Sequence, residues 1–414
     1  MTQDRIILHS DMNNFYASVE CLMNPAIRDL PVAVCGDPLA RHGIVLAKNQ
    51  LAKRLGIITG EAIWQARQKC PELHVVAPDY PRYLFYARKA RKIYEEYTLQ
   101  VEPFGLDESW LDVSGSTRGS GTEIAEQIRQ RMKNELGLTV SIGVSFNKIF
   151  AKLGSDMKKP DAITVITRAN YRDLVWPLPA SELLYVGRAT RGKLARVNIK
   201  TIGDIAKCDP DYLKGYLGKW GTMLWQFANG FDNQPVQEID CSEQIKSVGN
   251  STTTPRDLVN MQDISVTVHV LSESVASRLR DQKLKCSTVQ ISVRDSALFS
   301  FERQQKLRQP TYLSGDIAEA ALALFVREYS WERPVRSIGV RGTDLISQED
   351  EKQLQFWSDD NRRQKMEQLE RTMDDIRSRY GWFSVCRAMM LSDRELSDLN
   401  PKHDHVIYPV SYFG

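Results

Sequence analysis

At 414 residues the chain is too long for one hydrophobic core, so several domains are expected. Its 42% apolar and 26% charged residues are ordinary for a soluble globular protein, which argues against a fibrous or disordered chain. The net charge is only +3, which rules out a global excess of positive charge; any nucleic-acid surface must be a local patch.

No apolar run approaches membrane length, and Asp4-Arg5 leads straight into a strand, so neither a membrane span nor a signal peptide is expected. Seven cysteines are scattered and lack a C-x-x-C pair, which reads as buried thiols in a reducing, cytoplasmic setting. Repeats and low-complexity tracts are absent from the sequence.

Ile6-Ile7-Leu8-His9-Ser10-Asp11 is an apolar strand ending on an acid, and Phe15, Val19 and Leu22 then carry helical spacing. An Asp closing a buried strand beside a new helix is well placed to be a metal ligand. Asn24-Pro25 breaks that helix. Pro31–Gly36 and Gly43–Ala47 read as strands, and a helix runs from near Asn49 to Gly56. Arg82, Arg88, Lys89, Arg91 and Lys92 follow on a helix-like stretch, read as a solvated basic face.

Val101–Gly115 reads V-E-P-F-G-L-D-E-S-W-L-D-V-S-G, two short paired strands with Asp107 and Glu108 at or near their turn. Adjacent carboxylates repel, and a divalent cation is the usual compensation; the alternative is an acidic, solvated turn. Asp112 belongs to a strand end and is not read as a ligand. Three carboxylates, read with no His or Cys beside them, suit magnesium or manganese rather than zinc. Glu123–Leu136 has helical spacing with Gly137 as its stop, and Thr139–Ser145 alternates as a strand. This order predicts an α+β layer with an antiparallel sheet that brings the first strand beside the hairpin.

Pro177-Leu178-Pro179 marks a boundary, followed by short helices punctuated by glycine. A polar linker leads to residues 244–344, which hold 14 basic and 11 acidic residues. Ser287–Arg294, Leu298–Phe301 and Val335–Arg341 are strands there, flanked by two helical patterns, as in a small two-layer α+β domain. Beyond residue 345 the chain turns acidic and Gln-rich, with one further helix marked by Met366, Leu369, Met373, Ile376 and Tyr380.

H-S-D-M-N-N-F-Y-A-S-V-E, G-L-D-E-S-W-L-D and T-V-S-I-G-V-S-F-N-K-I-F-A-K-L-G-S-D-M-K-K-P resemble the motifs of the Y-family DNA polymerases, the translesion enzymes, and look most like the bacterial polymerase IV branch. The resemblance implies a right-hand α+β fold. Residues 1–25 and 75–168 would be palm, 26–74 fingers, 169–235 a helix-hairpin-helix thumb, 236–243 linker, 244–344 little finger and 345–414 a tail.

It also implies site residues. Asp11, Asp107, Glu108 and the Met12 carbonyl would hold two Mg²⁺ ions, with Mn²⁺ able to substitute. Tyr16 would be the steric gate against ribonucleotides. Phe15, Tyr16, Ile44, Leu46, Gln50, Lys53 and Lys159 would surround the incoming nucleotide. Lys53 stands where the family holds an arginine, supplying charge without a bidentate fork. Lys148 and Lys152 are left undecided between structural and DNA-facing roles.

Gly187 and Arg188 would meet a DNA phosphate, with Ala189 in place of a second hairpin glycine. Arg278, Arg280, Lys283, Lys285, Arg294, Arg336 and Arg341 are the candidate phosphate contacts of the little finger. Gln353, Leu354, Phe356 and Trp357 resemble the peptide that docks bacterial polymerases on the sliding clamp. Primer-template DNA and deoxynucleoside triphosphates are the expected partners, for a monomer outside the membrane. The alternatives are a polymerase V-type catalytic subunit needing accessory subunits, a nucleotidyl cyclase sharing the palm, and an inactive DNA- or clamp-binding homologue.

Overall fold

The computed structural model describes residues 5–37, 43–239, 245–349 and 360–399. They form two compact units, the first of residues 5–36 and 44–239, the second from residue 245 onward. No helix among the described residues is long and apolar enough to cross a membrane.

The first unit is built on strand β1 (Ile7–Met12), which is buried along its whole length. Both of its faces are covered, which explains the apolar run that the sequence shows there. Leu8 and Met12 join a core with helices α1 (Phe15–Met23), α4 (Tyr80–Glu95) and α5 (Gly121–Leu136). Ile7 packs on the opposite side with Ala151 of α6 (Lys148–Met157) and Trp110. Strands β5 (Val101–Pro103), β6 (Glu108–Asp112), β1, β7 (Val140–Ser145) and β8 (Ile163–Ile166) form one sheet in that order. The expectation of an antiparallel sheet needs one correction: β7 and β8 pair in parallel, because α6 carries the chain back across the face between them.

A smaller sheet holds β2 (Val32–Cys35), β3 (Val45–Lys48) and β4 (His74–Val76), with α2 (Gln50–Arg54) and α3 (Ile63–Lys69). Asn49 caps α2 by accepting the Ala52 amide at 2.9 Å, and Gly56 leaves it at φ 80°. Helices α7 (Tyr171–Val175), α8 (Arg188–Arg196), α9 (Ile202–Lys207), α10 (Pro210–Leu217) and α11 (Lys219–Ala228) share a third core with Phe146 and Phe150.

The second unit is a four-stranded antiparallel sheet, ordered β11 (Ser300–Thr311), β10 (Leu284–Asp295), β12 (Val335–Ser347), β9 (Ser247–Leu258). Helices α12 (Met261–Asp281) and α13 (Ser314–Glu328) cover one face, on Val289, Ile291, Val293, Ile338 and Val340. The following helix, α14 (Asp360–Tyr380), returns to this unit and ends the α13 amino terminus electrostatically: the Glu370 carboxylate accepts the Ser314 amide at 2.9 Å.

What positions the centre of the first unit is a close approach of α6 to the sheet. Gly143 pairs with His9 in the β1–β7 register. A Cβ on Gly143 would lie 1.9 Å from the Ala151 carbonyl oxygen, and one on Gly154 would lie 3.1 Å from the Gly143 Cα. Two facing glycines therefore let helix backbone rest on strand backbone. Gly143→Val is expected to destabilise the fold by about 3 kcal/mol or more, read from urea unfolding. Gly215→Ala, where a Cβ meets nothing within 4 Å, is expected to gain roughly 0.5 kcal/mol.

Candidate catalytic centre

Strand alternation places His9 and Asp11 on the α6 face of β1, and the antiparallel register sets Asp11 opposite Glu108. Asp107 sits in the loop just before β6, and its carbonyl accepts the Met12 amide at 2.9 Å, which ties that loop to the end of β1. Three carboxylates from two distant segments thus meet at one end of the neighbouring strands β1 and β6.

Helix α6 and the residues just after it deliver the countercharge. Lys152 Nζ lies 2.6 Å from Glu108 Oε2, 3.3 Å from Asp11 Oδ2 and 3.1 Å from Asp156 Oδ2. Lys159 Nζ lies 2.7 Å from the same Asp11 oxygen and 2.8 Å from Asp156 Oδ1. Behind them, His9 is fully buried, with Nε2 3.2 Å from Glu108 Oε2 and Nδ1 2.9 Å from Ser155 Oγ.

The electrostatics divide the acids. Burial, then the charges of Asp11 and Glu108, push the Asp107 carboxyl up to about 7. Burial also works against the Glu108 carboxylate, but the His9 ring 3.2 Å away and the Lys152 ammonium hold it down at about 2. Burial disfavours the Lys152 ammonium, and Glu108, Asp11 and Asp156 more than restore it.

The all-oxygen donor set and the unrelieved repulsion at Asp107 fit a hard divalent cation. The site is not a finished cage: among the described residues no three His, Cys, Asp or Glu side chains are gathered closely enough to hold a metal as they stand. Ammonium groups, rather than a shared point between carboxylates, face the Asp11 and Glu108 oxygens.

Tyr16 projects from the first turn of α1, half-buried beside these acids; burial and then the Asp107 charge push its phenol up. Phe15 is buried in the core next to it, at 5.6 Å between ring centroids. Ile44 is 43% exposed, Leu46 and Gln50 are half-buried, and Lys53 is exposed on α2. Lys48 sits near enough to Lys53 for burial, then the Lys53 charge, to lower its own basicity.

Gly187 and Arg188 are exposed at the start of α8, whose first turn has no side-chain cap. The left-handed residue of that turn is Tyr185, at φ 71°, so the conformational demand falls there and not at Ala189. Arg294, Arg341 and Lys283 are exposed in the second unit, and Arg336 and Arg278 are half-buried.

Two expected phosphate contacts are corrected. Arg280 turns inward to Glu370 and Asp374, and Lys285 is buried against the Gln348 carbonyl at 3.2 Å. Their charges are consumed inside the unit. Of the basic stretch on α4, Arg82 is likewise engaged, with Glu20 and Asp79. Lys148 is structural, paired with Glu102 at 2.6 Å over the Trp110 ring. Gln353, Leu354, Phe356 and Trp357 lie outside the described residues.

Sequence reasoning passed over His9 and Asp156 and left Lys152 undecided. The signals were there: His9 is two residues from Asp11 on a strand, and Lys152, Ser155, Asp156 and Lys159 recur at helical spacing.

A chimeric Y-family DNA polymerase of known structure superposes on the chain with a TM-score of 0.73, 24% identical, covering 83% of this chain and 99% of that one. The fold is therefore that of a Y-family DNA polymerase. The impB/mucB/samB family model matches residues 10–156, and that of the family's C-terminal domain matches residues 245–356. DNA polymerase IV of Acetivibrio thermocellus is 53% identical over 395 residues, covering 95% of this chain and 99% of that protein. DNA polymerase IV 1 of Bacillus subtilis is 38% identical over 395 residues, covering 95% of each. The chain belongs to the impB/mucB/samB family.

The Asp107 environment has a measurable sign. Its carboxyl titrates near 7 in the fold and near 3.8 when unperturbed, so unfolding releases protons between those values and stability falls as pH rises through that window. Glu108 runs the other way: its contribution is present above 4.5 and is lost as pH falls toward 2. In chelator, Asp107→Asn should raise stability by roughly 2–4 kcal/mol at about pH 8, with the gain vanishing near pH 4. Urea midpoints of both proteins across that range check the sign.

Proposed function

We propose that the chain is a template-directed DNA polymerase that adds deoxynucleotides to a primer 3′-hydroxyl during translesion synthesis. The observation that carries this is the meeting of Asp11, Asp107 and Glu108 at one end of the neighbouring strands β1 and β6, with Lys159 and Tyr16 beside them.

The five-stranded sheet with α1, α4, α5 and α6 is read as the palm, the three-stranded sheet as the fingers, α7–α11 as the thumb and the second unit as the little finger. Asp11, Asp107, Glu108 and the Met12 carbonyl would hold divalent metal, taken here as Mg²⁺. A pair of such ions, when bound, lowers the pKa of the attacking hydroxyl and steadies the leaving pyrophosphate.

The chain's own residues do the rest. Lys159 and Lys53 offer positive charge to the triphosphate. The Tyr16 ring would meet the sugar of the incoming nucleotide and exclude a 2′-hydroxyl. Glu108, held ionised by the Lys152 ammonium beside it, would keep its charge for a metal ion well below neutral pH. Exposed amides at Gly187 and Arg188, with Arg294 and Arg341, would take DNA phosphates without reading sequence. We further propose that residues 353–357 dock on a sliding clamp and that the enzyme works as a monomer in the cytoplasm.

Asp107→Ala and Glu108→Ala should each lower primer extension by at least about a hundredfold while leaving primer-template affinity unchanged; near wild-type extension by both would refute the assignment. Tyr16→Ala should reduce selection against ribonucleotides by about tenfold or more, read as the ratio of kcat/KM for the two sugars.

A further inference from the structure

Glu20 is a buried carboxylate that plays no part in the chemistry above. It is 6% exposed and lies about one helical turn beyond Tyr16 on α1. A charge so placed is costly unless it is paired, and its partners point in one direction. Its Oε1 accepts the Tyr83 hydroxyl at 2.7 Å, and its Oε2 accepts Arg82 Nη1 at 3.1 Å. Arg82 is held in turn by Asp79 at 2.9 Å, the residue that caps α4 by accepting the Arg82 amide.

The other face of this assembly is the Tyr16 ring. Tyr83 is fully buried and stacks on it, with ring centroids 4.3 Å apart and planes within 9°. Tyr80 meets Tyr16 edge-on at 6.0 Å. Exclusion of a 2′-hydroxyl by a ring requires that the ring not move back when it is pressed. At van der Waals contact the ring can yield only as far as what stands behind it, and a close-packed interior yields little. Behind Tyr16 stands Tyr83, and a charge-assisted hydrogen bond fixes the far end of Tyr83 to Glu20.

We propose that Tyr83 is a positioning residue for sugar selection: pinned by Glu20 and Arg82, it is the wall that keeps the Tyr16 ring from retreating before a ribonucleotide. This rests on reading Tyr16 as the gate. The pin also accounts for a tyrosine in place of a phenylalanine at a fully buried site, since the ring does the backing and the hydroxyl holds the ring.

The test measures kcat/KM for a deoxynucleotide and its ribonucleotide opposite one template base, using the full chain. The variants are Tyr83→Leu, Tyr83→Phe, Glu20→Gln and Tyr16→Ala, with thermal melting to show that each is folded. A general loss of activity moves both nucleotides alike and leaves their ratio intact. The ratio should fall about tenfold or more in Tyr83→Leu, which removes wall and pin, and about threefold in Tyr83→Phe and Glu20→Gln, which weaken the pin alone. If Tyr83→Leu does not fold, the two milder variants decide. Relaxed selection in Tyr16→Ala with the ratio unmoved in every Tyr83 and Glu20 variant overturns the proposal and leaves the gate standing. Unchanged selection in Tyr16→Ala removes the gate and the proposal together.

Discussion

Repulsion among three carboxylates is the constraint around which the first unit is arranged. Unit charges a few ångströms apart interact by about 4 kcal/mol even at an effective dielectric of 20, so acids cannot be placed this closely without an answer from elsewhere. The answer is local and asymmetric. Glu108 and Asp11 receive ammonium groups from Lys152 and Lys159, while Asp107 is left to burial and its neighbours and is driven toward neutrality. The centre therefore holds one carboxylate that is firmly ionised and one that is poised.

Packing makes that answer available. Lys152 reaches Glu108 only because α6 lies directly on β7, and α6 lies there only because Gly143 and Gly154 face each other. On the other side of the sheet, α1 and α4 carry the aromatic cluster of Tyr16, Tyr80 and Tyr83. This end of the strands is thus served from both faces by different chemistries: charge from α6 and the residues just after it, shape from α1 and α4. A strand buried on both sides is what allows this, since alternate residues of β1 address the two faces in turn.

Much of this was readable beforehand. The strand ending on Asp11, the hairpin at Asp107-Glu108, the break at Asn24-Pro25 and the helix ending at Gly137 each have a local cause, and the structure has each where its cause lies. What escaped has non-local causes. The parallel β7–β8 pairing follows from how α6 crosses the sheet, not from any residue in β8. Strand β9 hid behind a Thr-rich run with Pro255, tolerated because β9 is at the sheet edge. Arg280 and Lys285 read as free surface cations because the groups that claim them, Glu370, Asp374 and the Gln348 carbonyl, lie more than sixty residues onward in the chain, about as far as local pattern can be from informative. Tyr185 in a left-handed turn has no sequence signature, since an aromatic is the last residue expected there.

The ion pairs that anchor α14 bear on how the chain is made. Arg280 waits for Glu370 across 90 positions, and Glu273 waits for Arg377 across 104. Translation runs from the amino terminus, and contacts of such long sequence separation form late and slowly. The unit bearing the three acids can complete itself while the ribosome is still at work, whereas the second unit keeps a buried glutamate and a buried arginine without their charge partners until α14 has been made. A polymerase assembled in that order acquires its chemistry first and its second unit last.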